Sequence, residues 1–394
     1  MTQAVLRENL YIMGGHLAND LCHGSLPAIL AFMYQEGRLS SYADVAFLIM
    51  ANTLVNAIIQ PLAGYLADNR PRPYLMILGM CMSALGIMFI GLMDSYTAVL
   101  LLAAFNGVGL ALFHPAAGKL SNIFAGERKG RGMSIFSFGG NVGFAVGPVY
   151  FTLCHLFWGL SATLALCLPA LVMLVLFAGK YSLYLRVSVE DNLRVRDVRT
   201  AREGKENYRG MGVVILLIFA RSAAWFGLVS FLPLYFMHVQ GLADNQAAMM
   251  NGLVAVCGSL ATLIGGFFSD RLGYIRLIRI ASLLSIPCLA GFCCAPDTLT
   301  AVVCLMPFAM LFFAGMSPLV VVGQKYLCLH VGLATGITVG LGISFGGLIA
   351  PLLGHIGDER GLGFTMLVIL GIITLAALIS FLLPRIRESR QAAA

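Results

Sequence analysis

Apolar residues follow one another along the chain in long runs, and short segments rich in charge, proline or glycine separate these runs. An α-helix needs about 20 mostly apolar residues to cross a bilayer, and it satisfies its own backbone hydrogen bonds inside the lipid. The pattern therefore predicts an all-α polytopic membrane protein with twelve transmembrane helices. We expect these helices near residues 10–33, 43–67, 73–93, 97–118, 131–154, 156–178, 211–237, 246–269, 275–295, 299–323, 332–355 and 361–383.

Composition indicates the same lipid environment. Of the 394 residues, 59% are hydrophobic and only 11% are charged, whereas a soluble domain carries roughly 25% charged residues. A fold in water could not bury this much apolar surface, so the lipid bilayer is the expected surrounding. The first run holds Asn19, Asp20 and two histidines. It is too polar for a cleavable signal peptide, and we expect it to be a retained helix.

The lysines and arginines fall mostly in alternate connections and near the two termini. Basic connections of membrane proteins face the cytoplasm. We therefore expect a protein of the bacterial inner membrane with both termini and the central connection cytoplasmic, which requires an even number of spans. Topology and lipid contact account for the net charge of +7, and no nucleic-acid partner is expected.

The central segment 179–210 mixes basic with acidic residues. We interpret it as a solvated cytoplasmic linker with room for a short amphipathic helix on the membrane surface. It would join an N-terminal six-helix bundle at 1–178 to a C-terminal six-helix bundle at 211–394. The ten cysteines form no CxxC pair, so neither a disulfide framework nor a metal site is expected. We expect no cofactor.

Four short motifs recur in the same order in the two halves, which indicates an internal repeat. Gly64–Asp68 returns as Gly266–Asp270 after 202 residues, His114-Pro115 as Ser317-Pro318 after 203, Gly147-Pro148 as Ala350-Pro351 after 203, and Ser25–Pro27 as Phe231–Pro233 after 206. Two halves of six spans each start on the same membrane side. The repeat is therefore expected to be parallel, with the halves related by an axis along the membrane normal.

The motif Gly64-Tyr-Leu-Ala-Asp68, followed by Arg70 and Arg72, and its echo at 266–276 resemble the loop between spans two and three of the major facilitator superfamily. The glycine-rich run that ends at Gly147-Pro148 is similar to the antiporter-associated motif of that family. This resemblance covers the whole chain. It implies the major facilitator fold, with two pseudo-symmetric six-helix bundles and a substrate site between them near the midplane.

More narrowly, several motifs of the first half resemble the fosmidomycin-resistance branch of that superfamily. They are His16-Leu-Ala-Asn19-Asp20, Gln60-Pro61, Arg70-Pro-Arg-Pro73-Tyr74 and the segment 107–115, which ends in Phe113-His114-Pro115. The branch resemblance implies proton-driven efflux of a drug or metabolite. Ala103 and Asn106 stand where the superfamily often has an arginine and a glutamine, so a span-four arginine has no coupling role here.

Two ionisable residues, Asp20 and Arg221, lie inside predicted spans, where a charge is costly and usually faces a cavity or a partner. They are 201 residues apart, so the repeat places them at equivalent depths on related helices that face one cavity. His16, Asp20 and His23 follow the spacing i, i+4, i+7, which puts them on one helix face, with Asn19 beside it. This polar stripe must face protein or water.

We predict a proton-coupling site at Asp20 and His16, because histidine titrates near neutral pH and Asp20 can release its proton as Arg221 or a cationic ligand approaches. A substrate site is predicted from residues that offer hydrogen bonds, charge or aromatic surface: Arg221, His23, Asn19, His114, Asn52, Asn56, Asn141 and Trp225. The structural alternatives stay open. Asp20 and Arg221 would then be a pair that only fixes helix packing, His114 a packing histidine and the asparagines interhelical contacts.

Asp68, Arg70 and Arg72 lie at the predicted cytoplasmic rim, with Gly64 positioned for close helix approach. A carboxylate there can accept hydrogen bonds from a helix N-terminus or pair with an arginine. The family resemblance implies a gate latch rather than a substrate site. Its counterpart in the second half consists of Asp270, Arg271 and Arg276.

The sequence therefore favours a monomeric secondary active transporter, not an enzyme, with no catalytic residues. It would exchange protons for a small drug or metabolite, for which Arg221 favours negative charge. The nearest alternative is a proton-coupled importer of a carboxylate or metal-chelate solute, because sequence does not set direction. A membrane redox enzyme with histidine-ligated haem and a channel are the remaining alternatives.

Overall fold

The computed structural model describes residues 3–200 and 205–386, and every regular element in these two ranges is a helix. Before the central segment lie α1 (Gln3–Gln35), α2 (Tyr42–Asn69), α3 (Tyr74–Ile90), α4 (Tyr96–Ala125), α5 (Lys129–Trp158), a 3-10 helix (Gly159–Leu166) and α6 (Cys167–Gly179). The helix α7 (Tyr181–Thr200) occupies the central segment. After it come α8 (Tyr208–His238), α9 (Asp244–Leu272), α10 (Tyr274–Cys293), α11 (Thr298–Ala314), α12 (Met316–Tyr326), α13 (Val331–Arg360) and α14 (Leu362–Phe381).

Each predicted spanning segment falls on one helix or on consecutive helices. The segment 156–178 covers the end of α5, the 3-10 helix and α6, and 299–323 falls on α11 and α12. Eight helical stretches of the described residues are long and apolar enough to cross a membrane, and α1 is not among them. The all-α polytopic architecture is confirmed, while the count of twelve spans stays a prediction.

Local chemistry explains where several helices begin and break. The α2 helix starts at a capping box, in which Ser41 Oγ accepts from Asp44 N–H at 3.1 Å and the Asp44 carboxylate accepts from Ser41 N–H at 3.0 Å. The repeated prolines behave differently in the two halves. Pro115 lies inside the continuous α4 helix. Pro318 is the third residue of α12, just after Gly315, where the helix is interrupted.

The helices α1 and α5 pack with their backbones close together along a stripe of small residues on α5. A Cβ at Gly139, Gly143 or Gly147 would lie 2.3, 2.2 or 2.4 Å from a carbonyl oxygen of α1. Close approach of this kind is a common way to pack helices in lipid, where the hydrophobic effect does not drive helix association. It holds α1, which carries the polar stripe, in a defined position.

The central segment forms a 20-residue helix that is anchored on the N-terminal half. The Tyr184 ring of α7 is fully buried and makes edge contacts with Phe124 and Phe177. Just before α7, Lys180 Nζ donates to Glu8 Oε1 at 2.7 Å and lies 4.3 Å from the centre of the Tyr11 ring. The predicted linker is therefore a docked helix, longer than the short one expected.

A test of the α1–α5 packing is the substitution Gly143→Val. The added side chain would overlap the Leu17 carbonyl oxygen, which lies 2.2 Å from the position of a Cβ. Overpacking of this kind costs about 1–3 kcal/mol. We expect a lower midpoint of thermal unfolding for the purified protein in detergent.

The matched control is Gly371→Val on α14, where a Cβ would meet no atom within 4 Å. This variant should unfold at the temperature of the parent protein. Equal midpoints for the two variants would contradict the close packing of α1 and α5.

Candidate functional site

Asp20 of α1 lies at the centre of a buried polar cluster, with 7% of the residue exposed. Its Oδ2 is 3.2 Å from His16 Nε2, and its Oδ1 is 3.0 Å from His114 Nε2 on α4. Asn19 Nδ2 also donates to Asp20 Oδ1, at 3.2 Å. We call His16, Asn19, Asp20 and His114 the acid cluster. Helical spacing brings His16 to Asp20, and packing of α1 against α4 adds His114.

The orientation of His16 determines where protons can lie in the acid cluster. Its Nδ1 is 2.8 Å from the carbonyl oxygen of Phe136, and its ring stacks on the Phe136 ring with centroids 4.0 Å apart. A carbonyl only accepts hydrogen bonds, so His16 Nδ1 carries a proton. In a neutral ring, Nε2 would then present a lone pair to Asp20. A second proton must therefore lie between His16 Nε2 and Asp20 Oδ2, on one or the other.

Several polar atoms around the acid cluster have no hydrogen-bond partner among the described residues. They are His114 Nδ1, Asn19 Oδ1 and, one turn beyond Asp20, His23 Nδ1. His23 is buried and packs edge-on against Phe144 with centroids 5.3 Å apart. Buried polar atoms are usually hydrogen-bonded, so these three have hydrogen-bonding capacity that the described residues do not use.

Arg221 of α8 is 4% exposed, and its contacts lie in the C-terminal half. One guanidinium nitrogen donates to the Phe312 carbonyl oxygen, and the guanidinium carbon lies 4.2 Å from the centre of the Phe312 ring. Trp225 stacks on Phe312 and meets Phe313 edge-on, at centroid distances of 5.5 and 4.7 Å. The Arg221 Nε has no partner among the described residues.

Asp20 and Arg221 are thus each held by residues of their own half. The ion pairs of Asp20 are with the two histidines, and the hydrogen bond of Arg221 goes to a backbone carbonyl. The structural alternative, a direct packing pair of the two residues, has no counterpart among these contacts. Their expected exposure to one cavity stays a prediction.

The three asparagines predicted for the substrate site have different surroundings. Asn52 of α2 donates to the Ala103 carbonyl and to Asn106 Oδ1 on α4, both at 2.8 Å, and holds these two helices together. Asn141 of α5 donates to Thr262 Oγ1 of α9 at 3.2 Å, across the two halves. Asn56 is fully buried, and neither of its side-chain polar atoms has a partner in the described part of the chain.

Asp68, at the end of α2, binds the start of α13 in the other half. Its Oδ1 accepts from Gly332 N–H and its Oδ2 from Leu333 N–H, both at 2.8 Å. Lys119 Nζ of α4 lies 3.2 Å from Asp68 Oδ1. A carboxylate at this position caps free N–H groups and interacts favourably with the positive end of the helix dipole.

Asp270, at the end of α9, makes the corresponding contact with the start of α5. Its Oδ1 and Oδ2 accept from Gly130 N–H at 2.8 Å and from Arg131 N–H at 2.9 Å. The repeat thus creates two caps of the same kind, and we call Asp68 and Asp270 with these N–H groups the cap pairs. They lie at the end of the molecule that holds the basic connections, here called the basic end.

Glycines allow the helices of the two halves to approach at the cap pairs. A Cβ at Gly64 would lie 2.3 Å from the Gly332 carbonyl oxygen, and a Cβ at Gly266 would lie 2.5 Å from that of Gly130. Larger side chains there would push the capped helix starts away from the carboxylates.

The arginines predicted beside the two aspartates have more open positions. Arg70, Arg271 and Arg276 are exposed, and Arg72 is partly buried. Of the two kinds of partner anticipated for Asp68, the helix N-terminus is present, and the cation at ion-pair distance is Lys119. The gating roles of the four arginines stay predictions.

Sequence reasoning missed Lys119 and a second contact between the halves at the basic end. Asn122 Nδ2 of α4 donates to Gln324 Oε1 of α12 at 2.5 Å, and Gln324 Nε2 donates to Thr335 Oγ1 of α13 at 2.8 Å. Asn122 and Gln324 are 202 residues apart, the spacing of the repeat. This match was the signal that could have identified them.

His16, Asp20 and His114 also have the donor set of a partial metal site. Their ligand atoms lie within 4.8 Å of one another, and two imidazoles with one carboxylate suit a divalent transition metal. Each oxygen of Asp20 already faces a histidine nitrogen. A metal ion would have to replace both contacts, so these positions suit a shared proton better.

Two helical halves, joined at one end by capped helix starts and carrying buried charges inside apolar helices, define a multi-pass membrane transporter. The Major Facilitator Superfamily profile matches residues 12–331. The chain belongs to the major facilitator superfamily. The family predicted from the sequence is confirmed. The protein is therefore a secondary transporter of a small solute and not an enzyme.

Two curated proteins resemble the chain over most of its length. The fosmidomycin resistance protein of Escherichia coli (strain K12) is 26% identical over 363 residues, which cover 88% of this chain and 85% of the relative. The uncharacterized MFS-type transporter YfnC of Bacillus subtilis (strain 168) is 27% identical over 384 residues, covering 95% and 92%. The first relative agrees with the branch resemblance found in the sequence.

The fold resembles that of solved transporters of the family. The E. coli fucose:proton symporter FucP superposes with a TM-score of 0.74 over 97% of this chain and 100% of that chain, at 14% sequence identity. Agreement at this identity concerns the fold alone.

Proposed function

We propose that the protein is a proton-coupled antiporter that exports a small anionic drug or metabolite from the bacterial cytoplasm by alternating access. The observation that carries the proposal is the acid cluster, in which a buried carboxylate lies 3.2 and 3.0 Å from two imidazole nitrogens. The name of the E. coli relative, a fosmidomycin resistance protein, supports drug export. The basic end would face the cytoplasm, in keeping with the distribution of lysine and arginine.

The acid cluster can hold a proton in more than one place. With Nδ1–H of His16 engaged by the Phe136 carbonyl, the proton between His16 and Asp20 can rest on the imidazole or on the carboxylate. His114 supplies a second basic nitrogen at 3.0 Å from the other carboxylate oxygen. Entry or loss of a proton changes the charge of a cluster that lipid and protein shield from water, where such a change has large effects.

The proton gradient supplies enough energy for concentrative export. Moving one charge with the membrane potential releases about 2.3 kcal/mol per 100 mV, enough for roughly fiftyfold concentration at 100 mV. In each cycle, protons would enter from outside onto Asp20, with His16 sharing them, while the solute leaves. His23 and Asn19, with buried atoms that lack partners, would form part of the solute path.

Arg221 provides the recognition of negative charge in this proposal. Its planar fork suits the paired oxygens of a phosphonate, phosphate or carboxylate, and four of its five N–H donors remain beyond the one used on Phe312. Trp225, stacked on Phe312, would offer an aromatic surface to the rest of the solute.

The cap pairs would act as the cytoplasmic latch of alternating access. Asp68 and Asp270 join the halves only while α13 and α5 stay close to α2 and α9. A helix cap contributes about 0.5–2 kcal/mol, and conformers that interconvert differ by a few kcal/mol. Two such caps are therefore strong enough to favour the closed basic end and weak enough to release it.

The first prediction concerns Asp20→Asn, which keeps the shape of the side chain but cannot hold the transported proton as a carboxylate does. An efflux-deficient host that produces the native chain should survive fosmidomycin or another anionic drug in a susceptibility panel. A protonophore should remove this protection. The Asp20→Asn variant should insert and fold normally and give no protection.

The control is Asp94→Asn, because the Asp94 side chain is 88% exposed and pairs with Arg38 away from the acid cluster. It should protect like the native chain. Normal pH-driven drug efflux by Asp20→Asn at matched expression would remove Asp20 from proton coupling, and proton-driven accumulation of the drug inside cells would favour import.

The second prediction concerns Arg221→Gln, which retains a hydrogen-bonding side chain but loses the positive charge. Transport of anionic solutes should fall at least tenfold relative to transport of neutral solutes, because a charged partner strengthens a hydrogen bond. The measurement is initial efflux of paired anionic and neutral compounds from loaded vesicles.

Arg360→Gln serves as the control, since Arg360 also lies over an aromatic ring, that of Phe364 at 5.1 Å, but is exposed. It should leave both rates unchanged. An equal loss of neutral and anionic transport in Arg221→Gln would show a structural role instead.

The third prediction concerns Asp68→Ala, which removes one cap pair. Loss of the cap should raise the population of conformers open at the basic end about 2- to 30-fold. Spin labels at the exposed positions Glu127 and Leu272, in a background without the ten native cysteines, report the separation of the halves by double electron–electron resonance.

Labelled Asp94→Ala should keep the distance distribution of the parent. If Asp68→Ala also keeps it, the cap at α13 does not hold the basic end closed.

A further inference from the structure

The helix is interrupted at Gly315, between α11 and α12, and this α11–α12 break lies inside the apolar stretch Thr298–Tyr326. The first hydrogen bond after the break runs from Leu319 N–H to the Gly315 carbonyl at 3.2 Å. The N–H groups of Met316 and Ser317 therefore precede the hydrogen-bond ladder of α12, and Pro318 has no N–H to offer. The positive end of an 11-residue helix lies within the membrane-spanning region.

Arg221 lies directly at this break. A Cβ placed at Gly315 would be 3.6 and 3.7 Å from two guanidinium nitrogens of Arg221, so the guanidinium lies within van der Waals reach of this residue. Arg221 Nε has no partner among the described residues, and neither does the Ser317 hydroxyl, which is 0% exposed. A buried cation and a buried hydroxyl with unused hydrogen-bonding capacity thus accompany the same helix start.

The repeat supplies an independent comparison with the other half. Ser317 occupies the position of His114, and Arg221 that of Asp20, at offsets of 203 and 201 residues. In the N-terminal half, the residues at these positions pair with each other, since the Asp20 carboxylate lies 3.0 Å from His114 Nε2. In the C-terminal half, the corresponding groups are donors, and no protein carboxylate is among their contacts in the described residues.

We infer that the α11–α12 break is an oxyanion site, formed by the Arg221 guanidinium, the Ser317 hydroxyl and the N–H groups that start α12. Its ligand is the phosphonate, phosphate monoester or carboxylate group of the transported solute. The inference rests on the proposed export of an anionic solute and adds the residues that bind its charge. Buried donors and a helix start together suit a group with several oxygens.

A purely structural role leaves much of Arg221 unexplained. Its hydrogen bond to the Phe312 carbonyl caps the end of α11 with one N–H, but a neutral glutamine could donate this hydrogen bond without placing a charge in the membrane. The uncapped start of α12 and the unpartnered Ser317 hydroxyl would also remain costly. An anion resolves all three at once.

A solute is favoured over a lipid as the source of the anion. The break follows the 17 residues of α11 and precedes the 11 residues of α12, which places it well inside a spanning stretch rather than at the level of lipid headgroups.

The test uses Trp225, which stacks on Phe312 beside Arg221. The chain has two tryptophans, and the other, Trp158, is 61% exposed, so Trp158→Phe leaves Trp225 as the only reporter. Methylphosphonate should change the fluorescence of this protein in detergent saturably. Dimethyl methylphosphonate, which has the same core without charge, should not.

In the same background, Ser317→Ala should weaken methylphosphonate binding about tenfold, the effect of losing one hydrogen bond to a charged group. Arg221→Gln should abolish the response, and Asp94→Asn, at an exposed side chain away from both sites, should leave it unchanged. Each variant is compared only if it elutes as the parent does in size-exclusion chromatography, and isothermal titration calorimetry provides a second readout.

Unchanged affinity in Ser317→Ala, or an equal response to the neutral ester, would overturn the inference. Loss of the response on adding phosphatidylglycerol to the micelles would assign the site to a lipid headgroup and overturn it as well. The titration needs no proton gradient, so it is independent of the export assay. If export fails but methylphosphonate binding depends on Ser317, only the proposed function is refuted. If export occurs but methylphosphonate binding does not depend on Ser317, only this site is refuted.

Discussion

A charge inside the membrane must be satisfied by the protein, and this requirement determines how the two halves are built. Asp20 is held between two histidines. The two carboxylates at the basic end are held by the N–H groups of helix starts, and Asp68 also by Lys119. Arg221 has a backbone carbonyl and an aromatic ring. In each place helix packing brings the partner within reach, because a buried charge without a partner costs several kcal/mol.

The two halves carry the same cap contact at the basic end and opposite charges at the paired positions Asp20 and Arg221. At the basic end the symmetry is retained, and Asp68 and Asp270 make the same contact with α13 and α5. At the level of the acid cluster the symmetry is broken, since an acid faces histidines in one half and a base faces a helix start in the other. In the proposed function, this difference gives the proton and the anion separate binding places, the acid in one half and the base in the other.

Apolar runs of about 20 residues locate the helices well because lipid imposes the same length on every span. The break at Gly315 escaped prediction, since a glycine within an apolar run does not by itself end a helix. The His16–Asp20 contact follows from helical spacing, whereas His114 joins them only through the packing of α1 on α4. The cation that pairs with Asp68 is Lys119 and not a nearby arginine, because α4 packs against α2. The sequence motif around Asp68 does not indicate this partner.

The helix α4 connects the acid cluster to the basic end. It carries His114 in the cluster, Lys119 beside Asp68 and Asn122 on Gln324. His114 and Asn122 are eight residues apart, about 12 Å along a helix axis, and the intervening helix is continuous. In the proposed cycle, a change in proton occupancy that alters the His114–Asp20 distance would move or strain α4, and the contacts of Lys119 with Asp68 and of Asn122 with Gln324 would respond. The proposed coupling between proton and gate would need no contact between Asp20 and Arg221, because α4 by itself contacts both the acid cluster and Asp68.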